Sequence, residues 1–319
     1  MNSPGVAARA DHGDLVRLVR PWSWCPLWIE EAPPARLAVA RGLVCLYATV
    51  WLIARTPAVW APALDLSATR HWAPVGLLSV LPNAPPLLLV IGLHLLGIAC
   101  GLLATTGRWI RTSLPLFAIC FMLLATLRSS VGMLFHTENL TALHLLVLAA
   151  HAQRTVIGSC EDEASGPTAR REATAVMTTL TLVTLSVYLV AGIAKIRGSG
   201  LAWADGVLLR DQVAWDNLRK LALGDVGSPL VGPLLRMDGL WPALAAVSLL
   251  VELGAPLAIV HPRVLRAWML ASWSFHVGIV ALMAIVFPYP LLGIAYVSML
   301  PCERLPWCAW TLGRSGHDP

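Results

Sequence analysis

Long apolar runs, separated by short segments with prolines and arginines, dominate this sequence of 319 residues. A helix needs about 20 mostly apolar residues to cross a bilayer. Because hydrophobic residues make up 57% of the chain and charged residues only 13%, the apolar residues exceed what a single water-soluble core requires. The sequence therefore predicts an all-α fold, a polytopic integral membrane helical bundle whose first partner is the lipid bilayer.

Hydropathy and flanking charges predict about seven or eight spans. The first six cover residues 38–54, 87–106, 114–135, 140–152, 173–194 and 240–260. An apolar stretch over 264–300 is interrupted at Pro288 and Pro290, which predicts one full span and a shorter or tilted one. We expect an N-terminal cytoplasmic or interfacial segment at 1–35, a transmembrane core at 36–301 and a short C-terminal tail at 302–319.

Two segments outside these spans are typical of helices that lie at the membrane interface. Residues 15–29 combine arginines with three tryptophans, and residues 207–223 place leucines among charged side chains. The second pattern predicts an amphipathic helix over the mouth of the bundle. Arginines in the short loops favour a cytoplasmic N-terminus, which places the end of the 173–194 span on the opposite side.

Lys195 is one of only two lysines in the chain, and it follows an apolar helix. An ammonium group at membrane depth is costly unless it reaches water, finds a partner or loses its proton. Two interpretations are open: a snorkelling anchor that reaches the headgroups, or a functional group in the bundle. His136 is predicted to lie at the same outer face as Lys195, which makes a shared site possible.

Other polar residues lie in or beside the spans, where such residues usually face the bundle interior. His136 and Asn139 belong to the turn before the fourth span; they fit a site, and Asn139 equally fits a helix N-cap. His276 lies within an apolar stretch, where a neutral imidazole can donate or accept a hydrogen bond. We expect Arg128 to be structural or to face headgroups, with Glu252 as its candidate ion partner.

Sequence motifs for several other chemistries are absent. No CxxC, HExxH, P-loop or GxGxxG pattern occurs, so metal and nucleotide chemistry have no support in the sequence. We expect no nucleic-acid partner. Cys302 and Cys308 leave a disulfide open, although two unpaired thiols are the simpler interpretation.

The run Tyr188-Leu-Val-Ala-Gly-Ile-Ala-Lys195 is followed by Trp203 and Gly206. This order resembles the Tyr, Ala-Gly, Lys, Trp, Gly pattern of the vitamin K-dependent gamma-carboxylase and its bacterial relatives, the HTTM (horizontally transferred transmembrane) proteins. The histidine turn before the fourth span and the segment around His276 fit the same pattern in the same order. The resemblance covers most of the predicted transmembrane core.

The resemblance implies a lyase-like and oxidoreductase-like enzyme that oxidises reduced vitamin K or menaquinone with dioxygen. Epoxidation of this quinone would be coupled to proton abstraction from an unknown substrate, followed by carboxylation with carbon dioxide. Lys195 would be the general base, while His276 would stabilise charge and His136 would be a further catalytic residue. A base must be neutral, and an apolar pocket favours the neutral amine. The cofactor-binding residues that the resemblance implies are Asn139, Trp203 and Tyr188.

The chain departs from the family pattern at Ala194, where the carboxylase has a second lysine, and by extra residues between Lys195 and Trp203. It also lacks the carboxylase's long lumenal part, so we expect the acceptor to be another protein, a secreted peptide or a small molecule. The resemblance implies a bacterial cell membrane with the site toward the extracytoplasmic face. Two other functions stay open: a non-redox factor for maturation, export or immunity of a secreted peptide, and a proton-coupled transporter.

Overall fold

The computed structural model describes residues 31–64, 72–132, 134–154 and 166–304. The interfacial segment predicted at 15–29, and Cys308, lie outside these ranges. Within them every regular element is helical and no strand occurs, so the predicted all-α class is confirmed. The α-helices are α1 (Pro34–Ala54), α2 (Thr56–Leu64), α3 (Leu87–Thr106), α4 (Ile110–Ser129), α5 (Asn139–Arg154), α6 (Pro167–Ser199), α7 (Val207–Ala222), α8 (Val231–Leu234), α9 (Leu240–Leu253), α10 (Pro262–Met283) and α11 (Pro288–Leu291).

Short 3-10 helices connect or follow several of these elements. They cover Gly76–Val80, Gly200–Asp205, Ala255–Ile259, Ile294–Met299 and Cys302–Arg304. Among the described residues, five helices are long and apolar enough to cross a membrane, namely α1, α3, α4, α10, and α6 together with the 3-10 turn after it. The shorter apolar helices α5 and α9 join them. This set is compatible with an integral membrane protein and matches the first seven predicted spans.

Three predicted boundaries are wrong. Helix α4 ends at Ser129, because Gly132 then takes a left-handed backbone with φ +93° and the chain turns away. The fifth span, predicted to begin at residue 173, starts earlier, since α6 already begins at Pro167. No eighth long helix forms between residues 284 and 304, where Pro288 begins a four-residue helix and a 3-10 helix follows.

The core of the N-terminal half lies where α1, α3 and α4 pack together. Leu52, Phe117, Phe121 and Leu124 are fully buried there. Outward-facing residues of the same helices stay exposed, as Leu88 does on α3 with 82% of its surface accessible. Apolar outer faces of this kind suit contact with lipid tails.

Helix α7 is the predicted amphipathic helix, but its faces are inverted relative to a helix in a water-soluble protein. Its buried residues include Asn217 and Lys220, whereas Trp215, Leu218 and Leu221 are exposed. The Asn217 amide donates to the Leu282 carbonyl at 2.9 Å, and the Lys220 ammonium donates to the Met283 carbonyl. These bonds satisfy the last carbonyl groups of α10 and fix α7 against its end.

Three elements position the candidate site: α6, α9 and α10. Lys195 on α6 contacts Glu252 late in α9, whereas Trp203, beyond the end of α6, contacts Ser248 earlier in α9. The two helices are therefore antiparallel. Helix α10 runs parallel to α6 and brings its central residues beside Tyr188.

Candidate functional site

A cavity of about 660 Å³ lies between α6, α9 and α10, with α7 and the turn before α5 closing parts of it. Its size is within the range of small-molecule pockets, and most of its lining side chains are apolar. The structure brings together nearly all the residues singled out from the sequence. Those that line the cavity are His136, Tyr188, Lys195, Trp203 and His276.

Asn139 is the exception among the predicted site residues. It is exposed and is not part of the cavity lining. It is also the first residue of α5, so Glu138 rather than Asn139 precedes the helix at the N-cap position. Asn139 therefore neither caps α5 nor lines the cavity.

Lys195 and Glu252 form a close ion pair at one end of the cavity. The Lys195 Nζ lies 2.7 Å from each carboxylate oxygen of Glu252 and donates to Oε1. The Glu252 side chain is 5% exposed, and that of Lys195 is 21% exposed. The pair is net neutral whether the proton sits on the amine or on the carboxyl group, which reduces the cost of burying both.

Aromatic rings complete the surroundings of the ammonium group. The Lys195 Nζ lies 4.9 Å from the centre of the Trp203 ring and 5.5 Å from that of Phe275, both within cation–π range. The Trp203 indole donates to the Ser248 hydroxyl at 3.2 Å, which fixes its ring beside the lysine. A side chain held by a carboxylate and two rings is positioned by the protein, and the snorkelling interpretation does not describe it.

Two glycines of the sequence pattern explain why the helices can approach. At Gly192, an added Cβ would lie 2.8 Å from Leu253 Cδ2 and 3.0 Å from Glu252 Cβ, so α6 and α9 touch there. At Gly206 the backbone is left-handed with φ +80°, and a Cβ would lie 2.2 Å from the Trp241 carbonyl carbon. Together these contacts set the register that places Glu252 beside Lys195.

His276 lies in a hydrogen-bonded chain with two tyrosines. Its Nε2 is 2.8 Å from the Tyr188 hydroxyl, which is in turn 2.8 Å from the Tyr296 hydroxyl. The imidazole is 8% exposed, and its Nδ1 has no hydrogen-bond partner among the described residues. Buried polar atoms are normally satisfied, so this nitrogen lacks the hydrogen-bond partner that such an atom usually has.

His136 and His276 both lie beside the ring of Phe287. The centre of the Phe287 ring is 5.4 Å from the His136 ring and 5.1 Å from the His276 ring. His136 itself is exposed, at the open part of the cavity wall. The two histidine rings therefore lie near the same aromatic side chain.

The ion partner expected for Arg128 is wrong. Its Nη1 lies 2.7 Å from Glu138 Oε1, and its guanidinium packs 3.6 Å from the centre of the Phe135 ring. Glu252, proposed from sequence for this role, belongs to Lys195. The Arg128–Glu138 pair ties the end of α4 to the start of α5 and so supports the turn that carries His136.

Two further histidines, His94 and His144, have hydrogen-bond partners within the bundle. His94 accepts from the Trp60 indole at 2.8 Å and lies 3.1 Å from the Leu52 carbonyl oxygen. His144 lies between the Tyr289 hydroxyl at 2.7 Å and the Thr184 hydroxyl at 3.0 Å. Within the described ranges, no group of three or more His, Cys, Asp or Glu side chains could hold a metal ion.

The sequence did not reveal the contacts that Glu252, Ser248 and Tyr296 make with the predicted site residues. The first two are four residues apart on α9 and thus share a helix face, which is the signal that could have paired them with Trp203 and Lys195. Tyr296 comes from a 3-10 helix after the proline-interrupted stretch. No local pattern in the sequence announces its contact with Tyr188.

The site offers an amine and a carboxyl group that can exchange a proton, an imidazole nitrogen without a hydrogen-bond partner among the described residues, and mostly apolar walls. Comparison with known proteins finds no family model, no curated protein and no solved structure that matches the chain. Fold and composition therefore define the class, an all-α polytopic membrane bundle. Its cavity combines acid–base groups with apolar walls.

Proposed function

We propose that this protein is a quinol-dependent, oxygen-using membrane enzyme, related to the HTTM proteins and the vitamin K-dependent carboxylase. The observation that carries the proposal is the Lys195–Glu252 pair in an apolar cavity that is also lined by His276, whose buried Nδ1 has no hydrogen-bond partner among the described residues. Acid–base groups in a largely apolar enclosure suit a flat, greasy molecule with ionisable oxygens.

The cavity residues fit a reduced naphthoquinone of the vitamin K or menaquinone type. Phe275 and Phe287 provide apolar ring faces, and the buried His276 Nδ1 provides one polar contact for a quinol oxygen. Lys195 provides a second polar contact at the other end of the same cavity. When bound, the quinol supplies the reducing equivalents for dioxygen and leaves as its epoxide, with water as the second product.

Lys195 acts as the base for the quinol hydroxyl, and Glu252 is the group that makes this possible. With the proton of the pair on Glu252, Lys195 is a neutral amine with a free electron pair. A proton taken from the quinol hydroxyl would then go to the Lys195 amine, giving an ammonium group beside the neutral Glu252 carboxyl group. Trp203 and Ser248 hold the lysine in position throughout.

His276 stabilises negative charge that develops on the bound quinol oxygen. Its Nε2 is held by Tyr188, so the ring orientation is fixed before a ligand binds. The acceptor is a molecule with an acidic C–H beside a carbonyl group, to which carbon dioxide adds after proton removal. His136, at the open part of the wall, lies where a water-borne acceptor such as a secreted peptide would approach.

Purified protein in lipid nanodiscs, supplied with reduced phylloquinone or menaquinone, tests the proposal directly. We expect oxygen uptake with formation of the quinone epoxide, and loss of both in Lys195→Ala. Arg197→Ala is the matched control, because it removes a positive charge from the next exposed position of α6 without touching the cavity. Absence of oxygen uptake and epoxide with every quinol and acceptor mixture would contradict the proposal and favour a non-redox role.

A further inference from the structure

We propose that a lipid-soluble ligand reaches the cavity sideways from the bilayer, through a gap between α9 and α10 lined by Ala271, Ser274 and Gly278. The inference deepens the proposed function, since the quinol is the ligand considered. It specifies the route by which the ligand arrives and the side on which its tail remains.

One face of α10 carries small side chains, which leave space beside the helix. Ala271, Ser274 and Gly278 follow the spacing i, i+3, i+7 and all line the cavity. An added Cβ at Gly278 would meet no atom within 4 Å. Where α10 passes α9, this face is therefore an open channel wall and is not packed against its neighbour.

Accessibility differs between parts of the cavity wall. Tyr188 and Tyr289 are buried, with 6% and 0% of their surface exposed, whereas His136 and Gln212 are exposed lining residues. On the α9–α10 side, Val247 is 52% exposed, and Ala271 and Ser274 are also exposed. The cavity is thus closed beside the two tyrosines, and it opens between α9 and α10 as well as beside His136 and Gln212.

The opening lies within the membrane-spanning part of α10. Ala271 and Ser274 are near the middle of this 22-residue helix, so both are well away from its ends. Beside them, Leu270 is 64% exposed and Trp273 is 41% exposed, as expected for a surface that faces lipid. An opening at this depth gives access to hydrocarbon, and an apolar molecule can pass through it without crossing water.

The unpartnered nitrogen of His276 is independent evidence that the cavity takes a ligand. The residue is 8% exposed, and its Nδ1 is buried without a hydrogen-bond partner in the described part of the chain. A polar headgroup would satisfy it. The cavity of about 660 Å³ suits a headgroup and the first part of a tail, so a long isoprenoid tail would extend through the gap into lipid.

A plug in the gap tests the route. Ala271→Phe fills it, whereas Ala246→Phe adds the same bulk at an exposed position of α9 that does not line the cavity. The two substrates are a reduced 2-methylnaphthoquinone with an isoprenoid tail and the same quinol without a tail. We expect Ala271→Phe to lower kcat/KM at least about tenfold for the tailed quinol and to leave the tailless one within about twofold. Equal loss with both quinols, or no loss with either, would overturn the proposal.

A second measurement needs no turnover and so separates failure of the gap from failure of the proposed function. A bimane fluorophore is attached to the Ser274→Cys variant in nanodiscs. Protein without the introduced cysteine gives the background, and Leu270→Cys is the lipid-exposed control. We expect brominated lipids to quench both labels, and an added oxidised quinone with a long tail to relieve quenching at position 274 alone. Quenching at 274 by aqueous iodide only, or no effect of the quinone there, would contradict a lateral route.

Discussion

The Lys195–Glu252 pair should be strongly coupled energetically, and the structure sets the size of the effect. The Lys195 Nζ lies 2.7 Å from both Glu252 oxygens, and the glutamate side chain is only 5% exposed. Lys195→Met leaves that carboxylate buried without its counter-charge. Breaking a buried ion pair by removing one partner costs about 3–5 kcal/mol. Because Lys195 is 21% exposed and Glu252 can take up a proton, we expect the lower end, about 3 kcal/mol.

The partner substitution and the double substitution complete the cycle. Glu252→Gln leaves an ammonium group that retains some access to solvent and one amide oxygen as acceptor, so the loss should be about 1–3 kcal/mol. Lys195→Met with Glu252→Gln removes both charges and should be more stable than Lys195→Met alone. The expected coupling energy is at least about 1 kcal/mol, within the range for residues in direct contact.

Unfolding in detergent, followed by tryptophan fluorescence, measures each free energy change. The chain has 14 tryptophans, so the signal is strong. Arg210→Met serves as the control, because its contacts with Asp211 and Asp238 are 3.6 Å long and solvent-exposed, and it should change stability by less than about 1 kcal/mol. If the two single changes at Lys195 and Glu252 proved additive, the pair described here would not exist in the folded protein.

Two further substitutions have outcomes that follow from local geometry. Gly206→Ala should destabilise the fold severely or prevent its expression, because the new Cβ would lie 2.2 Å from the Trp241 carbonyl carbon at a left-handed φ of +80°; a normal melting temperature would contradict this packing. For Asp216, burial raises the carboxyl pKa, but hydrogen bonds from Arg219 and Lys220 outweigh it and hold the pKa below its ordinary value of 3.8. Its stabilising effect is therefore complete above that value and is lost as the pH falls through the folded-state pKa. Asp216→Asn should flatten the acid limb of a stability–pH curve, and an unchanged limb would refute the assignment.

Hydropathy predicted most of the bundle because membrane spans are defined by length and apolar composition, which are local properties. After α10 the interruption at Pro288 and Pro290 was predicted, but not that the remaining pieces are too short to span. Hydropathy also failed at the end of α4, where Gly132 and the turn after it depend on backbone conformation. At both places a few residues determine the backbone conformation, whereas hydropathy is averaged over a longer stretch of sequence.

The sequence predicted most residues of the candidate site, but it did not predict which of them contact each other. The cost of a lysine near membrane depth correctly indicated that Lys195 needs a partner. Identifying Glu252 required the approach of α6 and α9 at Gly192, a contact between residues about 60 positions apart that no local pattern reports. Sequence proximity would have linked Arg128 to Glu138, ten residues away, and that is the pair that forms.

Asn139 is a predicted site residue that does not line the cavity. Its residue type and its position before an apolar run favoured a functional or capping role. One residue of difference in where α5 begins places it on the exposed first turn instead. Helix boundaries are set by the turn that precedes them, here fixed through the Arg128–Glu138 ion pair, and the sequence alone does not specify that geometry.

The most direct test of the account is the initial rate of quinone epoxide formation by Lys195→Arg compared with the unmodified protein, in nanodiscs with reduced phylloquinone. Arginine keeps the positive charge and can pair with Glu252, yet it does not give up its proton and cannot serve as the base. We expect a folded protein with a normal melting temperature and a rate reduced at least about a thousandfold. A folded Lys195→Arg variant with near-normal epoxide formation would show that Lys195 is only an ion-pair partner and would contradict the central claim.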